Sequence, residues 1–396
     1  MWLLLSAIYI AFLGLSDVVI DLIAVNHYRA DAVTLGLLSS LWILVYVVAS
    51  RLTSRVAENK GSKPLMITSI FITLLFFIFL FSLRNFYYLV ISQILHSLSV
   101  ALVRNSVSIS ILNNLESEDW DKANKVFFQF SMFFEGIFLY MVSLFSLTFL
   151  INSVTVFTVV FLLVGISLVL IIPSSKSSLS RDLFRIEKNI ESSLSTISIL
   201  SSMGYEPLYS PPKARIVSRM LESRNTLTVG DVLVSVAGFR LSNSFFFTPL
   251  AFVLLRVLNL SSDSVLAIYG VAKIIASISL SFFPKYLDKK LAMMISMIRI
   301  LVMSLFVSSF LTRSYELIVA LTLTYLFNIV LDAKLYSLYI EASLASNPST
   351  YSIVSEFSNM TGALTSGYLI SLGGIPMTIA SIAIMTLVSL RAIIKN

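Results

Sequence analysis

Two aspartates, Asp17 and Asp21, stand four residues apart in a long apolar stretch near the start of the sequence. In a helix this spacing places both carboxyl groups on one face. Two like charges this close in a medium of low dielectric disfavour joint ionisation, so at least one carboxyl is expected to hold a proton at physiological pH. The pair therefore fits a proton carrier. The alternative is that one or both carboxylates pair with a cation on another helix, such as Arg240.

Other ionisable side chains also lie inside apolar stretches. An ionisable group costs at least about 2.5 to 3.5 kcal/mol in hydrocarbon, so such groups are expected to line a water-filled cavity or to pair with one another. Counted together with Asp17, Asp21 and Arg299, the groups inside the apolar stretches are five acids and five bases, so their sum does not fix the charge of a ligand. We assign the following as candidate cavity or substrate residues: Arg104, Glu135, Arg240, Lys273, Asp332, Lys334 and Glu356.

Alternatives remain open for several of these groups. Arg104 and Asp332 occupy equivalent places in the first and second halves of the sequence. We expect them either to form an ion pair that breaks during a conformational change or to contact substrate. The alternative is a purely structural ion pair. Glu135, Lys273 and Glu356 also fit ion pairs between two bundles of helices. Another basic residue, Arg299, is expected to snorkel to the membrane surface or to pack internally.

The composition shows which kind of element must position these groups. The chain has 396 residues, of which 57% are apolar and 12% charged, against about 25% charged in a soluble domain. Its mean hydropathy is +0.91. These values exclude a soluble enzyme and indicate a protein whose solvent is the lipid bilayer. The net charge of +7 is not concentrated on one face, so nucleic-acid binding is not expected.

The sequence offers little for a cofactor. There is no cysteine, which excludes disulfides, iron–sulfur clusters and thiolate zinc sites, and the only two histidines, His27 and His96, are far apart. No Walker loop is present, so ATP is not expected to be the driver. We therefore predict no metal, no cofactor and no enzymatic activity.

Twelve apolar runs of helical length, six before and six after a polar stretch, predict an all-α integral membrane protein built as two six-helix bundles. The predicted domains are 1–173, a cytoplasmic linker at 174–228, and 229–396. Pro249 falls inside the seventh run and predicts a kink. The runs are 2–25, 33–49, 65–83, 87–112, 126–150 and 154–172, then 232–255, 265–283, 291–311, 317–340, 351–372 and 377–393.

The basic residues of the loops predict the orientation. Most loop Lys and Arg fall on the side that also carries both termini, and cytoplasmic loops retain such residues. We therefore expect a multi-pass protein of the cell membrane with both termini in the cytoplasm. The linker contains a helical apolar spacing and many basic residues, which predicts an amphipathic helix on the anionic inner leaflet. It serves either as a tether between the bundles or as a docking site for a partner.

A local pattern recurs after the second and eighth runs. Residues 54–63 read SRVAENKGSK, and residues 281–290 read SFFPKYLDKK. Both resemble the loop signature of the major facilitator superfamily, although Asn59 and Ser62 replace expected basic residues and the second copy lacks the acid and the glycine. In that family this loop is a latch that holds one open state. The resemblance assigns the latch to Glu58, Gly61, Lys63, Lys289 and Lys290.

The charged residues are distributed among the runs with a period of three, which fits the same family. Runs one, four, seven and ten carry most of the charges, and in the superfamily this set lines a central cavity. Runs two, five, eight and eleven carry Glu135, Lys273 and Glu356, and in the superfamily they form the interface between the bundles. Runs three, six, nine and twelve carry only Arg299, and in the superfamily they face lipid. The spacing from Asp17 to Ala24 also resembles that of drug:proton antiporters.

The resemblance implies a monomeric secondary transporter that moves a small organic solute by alternating access, coupled to protons and acting in efflux. The alternative is a non-transporting membrane sensor or scaffold that works through the linker.

Overall fold

The computed structural model describes residues 1–82, 85–115, 119–145, 154–173, 227–283, 287–308, 311, 313–343 and 348–395, and these form helices joined by short connections. The predicted linker lies outside them except for its last two residues, so its amphipathic helix and the domain boundaries remain predictions. The helices are α1 (Trp2–Asn26), α2 (Ala32–Lys60), α3 (Ser62–Ser82), α4 (Phe86–Asn114), α5 (Trp120–Phe145), α6 (Val154–Ile171), α7 (Val229–Phe247), α8 (Ser262–Ser279), α9 (Lys289–Val307), α10 (Ser314–Ser343) and α11 (Pro348–Lys395).

These helices account for all twelve predicted spans. Ten described helical stretches are long and apolar enough to cross a bilayer, and a shorter apolar helix, Thr155–Ile171, supplies the sixth span. The helix α11 contains both the eleventh and the twelfth predicted spans. Its backbone is non-helical at Gly374, where φ is +63°, a value that glycine adopts without strain. Pro376 follows at once, so the two spans are arms that join at this kink.

Polar residues at the helix starts explain several boundaries. Asn85 caps α4 by accepting from the Tyr88 backbone N–H. Ser261 caps α8 by accepting from the Ser264 backbone N–H. In the loop before α2, Asp31 Oδ1 accepts from the hydroxyl and the backbone N–H of Thr34 at 2.6 and 2.8 Å. The Thr34 hydroxyl is the main reason that the pKa of Asp31 lies below its usual value.

The seventh span is interrupted where Pro249 predicts it. The helix α7 ends at Phe247, and the chain continues through a short helix, Leu250–Phe252, and a π-helical turn, Val253–Val257. Proline lacks the N–H that would continue the helical hydrogen bonding. The π-helical turn carries Arg256, which thereby reaches the first half of the molecule.

The two halves meet where helices α5 and α8 cross and where α2 crosses the first arm of α11. Glycine permits both close approaches: a Cβ on Gly136 would lie 2.7 Å from the Gly270 carbonyl oxygen, and one on Gly36 would lie 2.5 Å from the Ala363 carbonyl oxygen. Small residues allow such contact in membranes, where backbones pack without a hydrophobic driving force.

The outer surface is apolar. Large exposed side chains on α3, α6 and α9 include Phe71, Leu163 and Leu301, as expected for helices that face lipid. Arg299 is the exception on α9, because its side chain is fully buried. It therefore packs internally, which is the second of the two expectations for this residue.

Candidate central binding cavity

A cavity of about 470 Å³ lies between the two halves. Its lining comes from α1, α2, α4 and α5 on one side and from α7, α8, α10 and α11 on the other. This is where the period of three in the sequence placed the cavity and interface helices. Its charged lining residues are Asp17, Asp21, Arg104, Glu135, Lys273 and Glu356.

Asp17 sits beside a buried histidine. Its side chain is 47% exposed, although it lies in the middle of α1, because it borders the cavity. Its Oδ1 lies 3.2 Å from Nδ1 of His96, which is fully buried. The Trp42 indole N–H donates to the same Nδ1 at 2.9 Å, and the other ring nitrogen of His96 lies 2.9 Å from the Leu13 carbonyl oxygen. Sequence reasoning did not assign His96 or Trp42 to the site.

An ion pair joins the two halves beside the cavity. Lys273 of α8 donates to Glu135 Oε1 of α5, and both side chains are mostly buried. Glycine makes room for this pair, since a Cβ on Gly14 would lie 2.5 Å from the Glu135 carboxyl carbon. The Lys273 ammonium also lies 5.5 Å from the centre of the Tyr325 ring.

Arg104 belongs to an aromatic wall of the cavity. It donates weakly to the Tyr46 hydroxyl at 3.4 Å. The Tyr46 ring stacks on Trp42, with centroids 5.2 Å apart and planes 5° apart. Glu356, from the second half, interacts electrostatically with both Arg104 and Arg240. The wall is thus suited to bind a flat or apolar solute with polar ends.

Arg240 and Asp332 pair with each other inside the second half, not in the cavity lining. The Arg240 Nη2 donates to both carboxylate oxygens of Asp332, at 2.8 and 3.0 Å, and Tyr351 donates to Oδ1 at 3.0 Å. The expected pairings of Arg240 with Asp17 and of Arg104 with Asp332 are therefore absent, because each member of the buried pair already has its partner. Lys334 is likewise not in the described lining.

Arg299 is held by neutral groups in the second half. It donates to Asn328 at 2.7 Å, to Thr386 at 2.9 Å and to Ser242 at 2.8 Å, and its guanidinium lies 5.1 Å from the Phe239 ring centre. Asn328 is itself a lining residue of the cavity. Arg299 therefore links the core of the second half to the cavity wall.

The expected latch is described only in part. Gly61 has φ of +81°, which accounts for glycine between α2 and α3. Lys63 and Lys290 follow at the starts of helices, whereas the side chain of Glu58 lies outside the described residues. Lys289 donates to the Ile394 carbonyl oxygen at the end of α11. The role of these residues as a latch remains a prediction.

An ionic cluster that the sequence did not predict joins the start of α7 to the end of α11. Asp231, near the start of α7, accepts from Arg391 at 2.7 Å and from Lys395 at 2.8 Å. The spacing of Thr228 and Asp231 marks a helix start, where the two residues form a capping box, but it does not indicate the two basic partners of Asp231.

The cavity is asymmetric along the helices. Its lining extends to Ile111 near the end of α4 and to Asn124 near the start of α5. At the opposite end the halves touch: Arg256 donates to the Val25 carbonyl oxygen at 2.8 Å, and Asn26 bonds to Ser262. Toward the Asn124 end, Gln129 of α5 donates to the hydroxyl of Ser281, just after α8, at 3.2 Å, so described hydrogen bonds join the halves on both sides of the cavity.

Apolar spanning helices that enclose a charged cavity between two halves define a class of protein, the secondary transporters. The chain belongs to the Major Facilitator Superfamily, whose sequence profile matches residues 2–346. Members of that family are transporters, so the chain is a multi-pass secondary transporter rather than an enzyme, and the predicted fold class is confirmed. Family membership favours transport over the sensor or scaffold alternative.

Three solved transporter structures have a similar fold at low sequence identity. A structure of a proton dependent oligopeptide transporter has a TM-score of 0.68 at 14% identity and covers 100% of this chain and 96% of that chain. The human organic anion transporter MFSD10 (TETRAN) gives 0.63 at 13%, covering 99% and 97%. The E. coli fucose:proton symporter FucP gives 0.57 at 13%, covering 100% and 98%. No curated protein sequence matched.

Proposed function

We propose that the protein couples proton movement to the transport of a small organic solute by alternating access, with Asp17 and Asp21 as the proton-carrying groups. The observation that carries this proposal is the position of Asp17: its half-exposed carboxyl borders a cavity shared by both halves and lies beside buried His96. A carboxyl in such a place can gain and lose protons whenever the cavity opens to water.

The contacts between the halves support a rocking motion. The contacts of Arg256 with Val25 and of Asn26 with Ser262 join helix ends that belong to different halves, so they must break if the cavity is to open at that end. The glycine crossing of α5 and α8 provides a close contact about which the halves can turn. The proposed cycle therefore exchanges one closed end for the other.

The described lining favours a solute that is neutral or positively charged. Four lining carboxylates stand against two lining cations, and one cation, Lys273, is already paired with Glu135. An anion would meet the excess carboxylates in a medium that screens poorly. Following the resemblance to drug:proton antiporters around Asp17, we propose that the solute leaves the cell as protons enter.

The test is flux into proteoliposomes that contain a solute first identified by thermal stabilisation of the purified protein. Asp17→Asn and Asp21→Asn are compared with Asp31→Asn, a matched change in the loop outside the cavity. We expect the Asp17 variant to lose flux driven by a pH gradient while retaining solute exchange without a gradient, because the amide preserves shape and removes the exchangeable proton. Asp31→Asn should retain both activities.

Unchanged gradient-driven flux in both cavity variants would refute the assignment of the proton carrier. Loss of exchange as well as driven flux in Asp17→Asn would show that this residue acts in solute binding rather than in coupling.

A further inference from the structure

The hydrogen bonds of His96 fix which of its ring nitrogens carries a proton in the neutral form. Nε2 lies 2.9 Å from the Leu13 carbonyl oxygen, which can only accept, so Nε2 bears hydrogen. In a neutral imidazole Nδ1 is then an acceptor, and it accepts from the Trp42 indole N–H at 2.9 Å. The indole is a donor only, so it can bond to Nδ1 only while that nitrogen is unprotonated.

Asp17 makes this nitrogen a shared position. Its Oδ1 lies 3.2 Å from Nδ1 of His96, so a lone pair and a carboxylate oxygen face each other unless a proton lies between them. If the proton is on Asp17, the carboxyl and the Trp42 N–H share the single lone pair of Nδ1 in a bifurcated hydrogen bond. If the proton is on Nδ1, the imidazolium donates to Asp17, and the Trp42 N–H loses its acceptor.

We propose that His96 and Trp42 complete the proton site. The proton is shared between Asp17 and His96, and the Trp42 side chain changes its position when the proton moves to His96. This inference rests on the proposed role of Asp17 as a proton carrier. The site is built from three helices of the first half, with Asp17 on α1, Trp42 on α2 and His96 on α4.

Trp42 connects the proton site to the solute site. It lines the cavity and stacks on Tyr46, whose hydroxyl accepts from Arg104. When Nδ1 becomes protonated, the indole must leave its hydrogen bond or face another N–H, so the aromatic wall has to rearrange. Protonation therefore changes the surface that a solute meets, which is what coupling requires.

Several charged groups act on Asp17, the residue that contacts His96. Asp17 and Asp21 approach from α1, Arg104 comes from its own helix, and Lys273 from α8 acts on Asp17. From the other helices, α2 contributes the hydroxyl of Tyr46 and α3 packs the uncharged Phe76 ring 5.2 Å from the imidazole. Counted with Glu135 of α5, which pairs with Lys273, these groups are three acids and two bases, and the local hydrogen bonds of His96 decide where the proton resides.

The experiment uses tryptophan fluorescence of the full-length protein. Of the three tryptophans, Trp2 and Trp120 are replaced by Phe, so that only Trp42 emits. Emission is followed across about pH 5 to 9, the range in which histidine changes charge. We expect emission to fall and shift as the pH is lowered, since an imidazolium quenches indole and the N–H loses its acceptor.

In the same background, His96→Gln retains an acceptor for Trp42 but cannot titrate, so the pH response should disappear. Asp17→Asn should move the midpoint of the response. An emission that does not change with pH, or a response that survives His96→Gln, would overturn the proposal.

A second measurement leaves the proton site intact. In protein labelled with ¹⁵N-histidine and carrying His27→Gln, the single remaining histidine should show an unprotonated Nδ1 at high pH that gains a proton at low pH; a Nδ1 that carries hydrogen throughout would contradict the assignment. Neither measurement depends on transport. Loss of driven flux in Asp17→Asn with no pH response of Trp42 would refute this inference and leave the proposed function standing. A pH response of Trp42 with unchanged driven flux in both Asp17→Asn and Asp21→Asn would refute the proposed function.

Discussion

At the scale of single residues, the buried charges divide into two kinds. Asp17 borders the cavity and can exchange protons with it, whereas Arg240 and Asp332 are buried together with two bonds between them and a third from Tyr351. A buried pair with good geometry is costly to break, because removal of one partner leaves a charge without compensation. We therefore assign the pair a role in the stability of the second half.

Asp332→Asn is expected to destabilise the protein strongly, by about 3 to 5 kcal/mol, because Arg240 keeps its charge in a buried place. The double variant Arg240→Leu, Asp332→Leu should be less destabilised than the single variant, since both charges are removed. Thermal unfolding in detergent measures the difference. If the double variant is no more stable than Asp332→Asn, the attraction between Arg240 and Asp332 exceeds the free-energy cost of burying their charges, and the interpretation is wrong.

The sequence could identify the charged residues but not their partners. Asp17 and Arg104 follow from the period of three, because that period selects the helices around the cavity. Arg240 and Asp332 share those helices, yet their side chains point to each other within the wall, and the direction of a side chain depends on helix rotation, which the period does not specify. His96 and Trp42 were missed because their relation to Asp17 exists only once three helices have packed.

At the scale of helices, the closest contact between the halves is the crossing of α5 and α8. Gly136 and Gly270 meet there, next to the ion pair of Glu135 and Lys273. A side chain at this crossing would separate the two backbones, since a Cβ on Gly136 would lie 2.7 Å from the Gly270 carbonyl oxygen. The crossing thus keeps the cavity charges of the two halves in register.

Gly136→Val should lower both the melting temperature and the transport rate, because the helices cannot approach and the ion pair is pulled apart. The matched control is Gly230→Ala, where an added Cβ would meet only the Thr228 hydroxyl at 3.7 Å. Melting and flux are compared for both variants. The interpretation of the crossing is wrong if Gly136→Val behaves like the control.

The helix boundaries were predictable where the sequence carries a start or stop signal. Pro249 gave the break after α7, and Asn85 marks the start of α4. The two arms of α11 are the predicted eleventh and twelfth spans, and the backbone leaves the helical conformation between them at Gly374, next to Pro376.

At the scale of the whole molecule, the central feature is the cavity between the two halves. The apolar composition and the twelve runs predict packed spanning helices, because a bilayer allows few alternatives. The resemblance to the superfamily adds the cavity between two halves. The orientation in the membrane, the monomeric state and the role of the linker remain predictions, since they depend on lipid, partners and residues outside the described part of the chain.

The most direct test of the central claim is the accessibility of the cavity from each side of the membrane. The chain has no cysteine, so single cysteines can be introduced without background. Ser39→Cys places a thiol in the cavity lining on α2, and Leu44→Cys places one on the exposed apolar surface of the same helix. Labelling by a membrane-impermeant thiol reagent is measured in right-side-out and inside-out vesicles at several pH values.

We predict that Ser39→Cys is labelled from both sides, with the two rates changing in opposite directions as the pH changes, and that Leu44→Cys is labelled from neither side. Labelling of Ser39→Cys from the same single side under every condition would contradict alternating access.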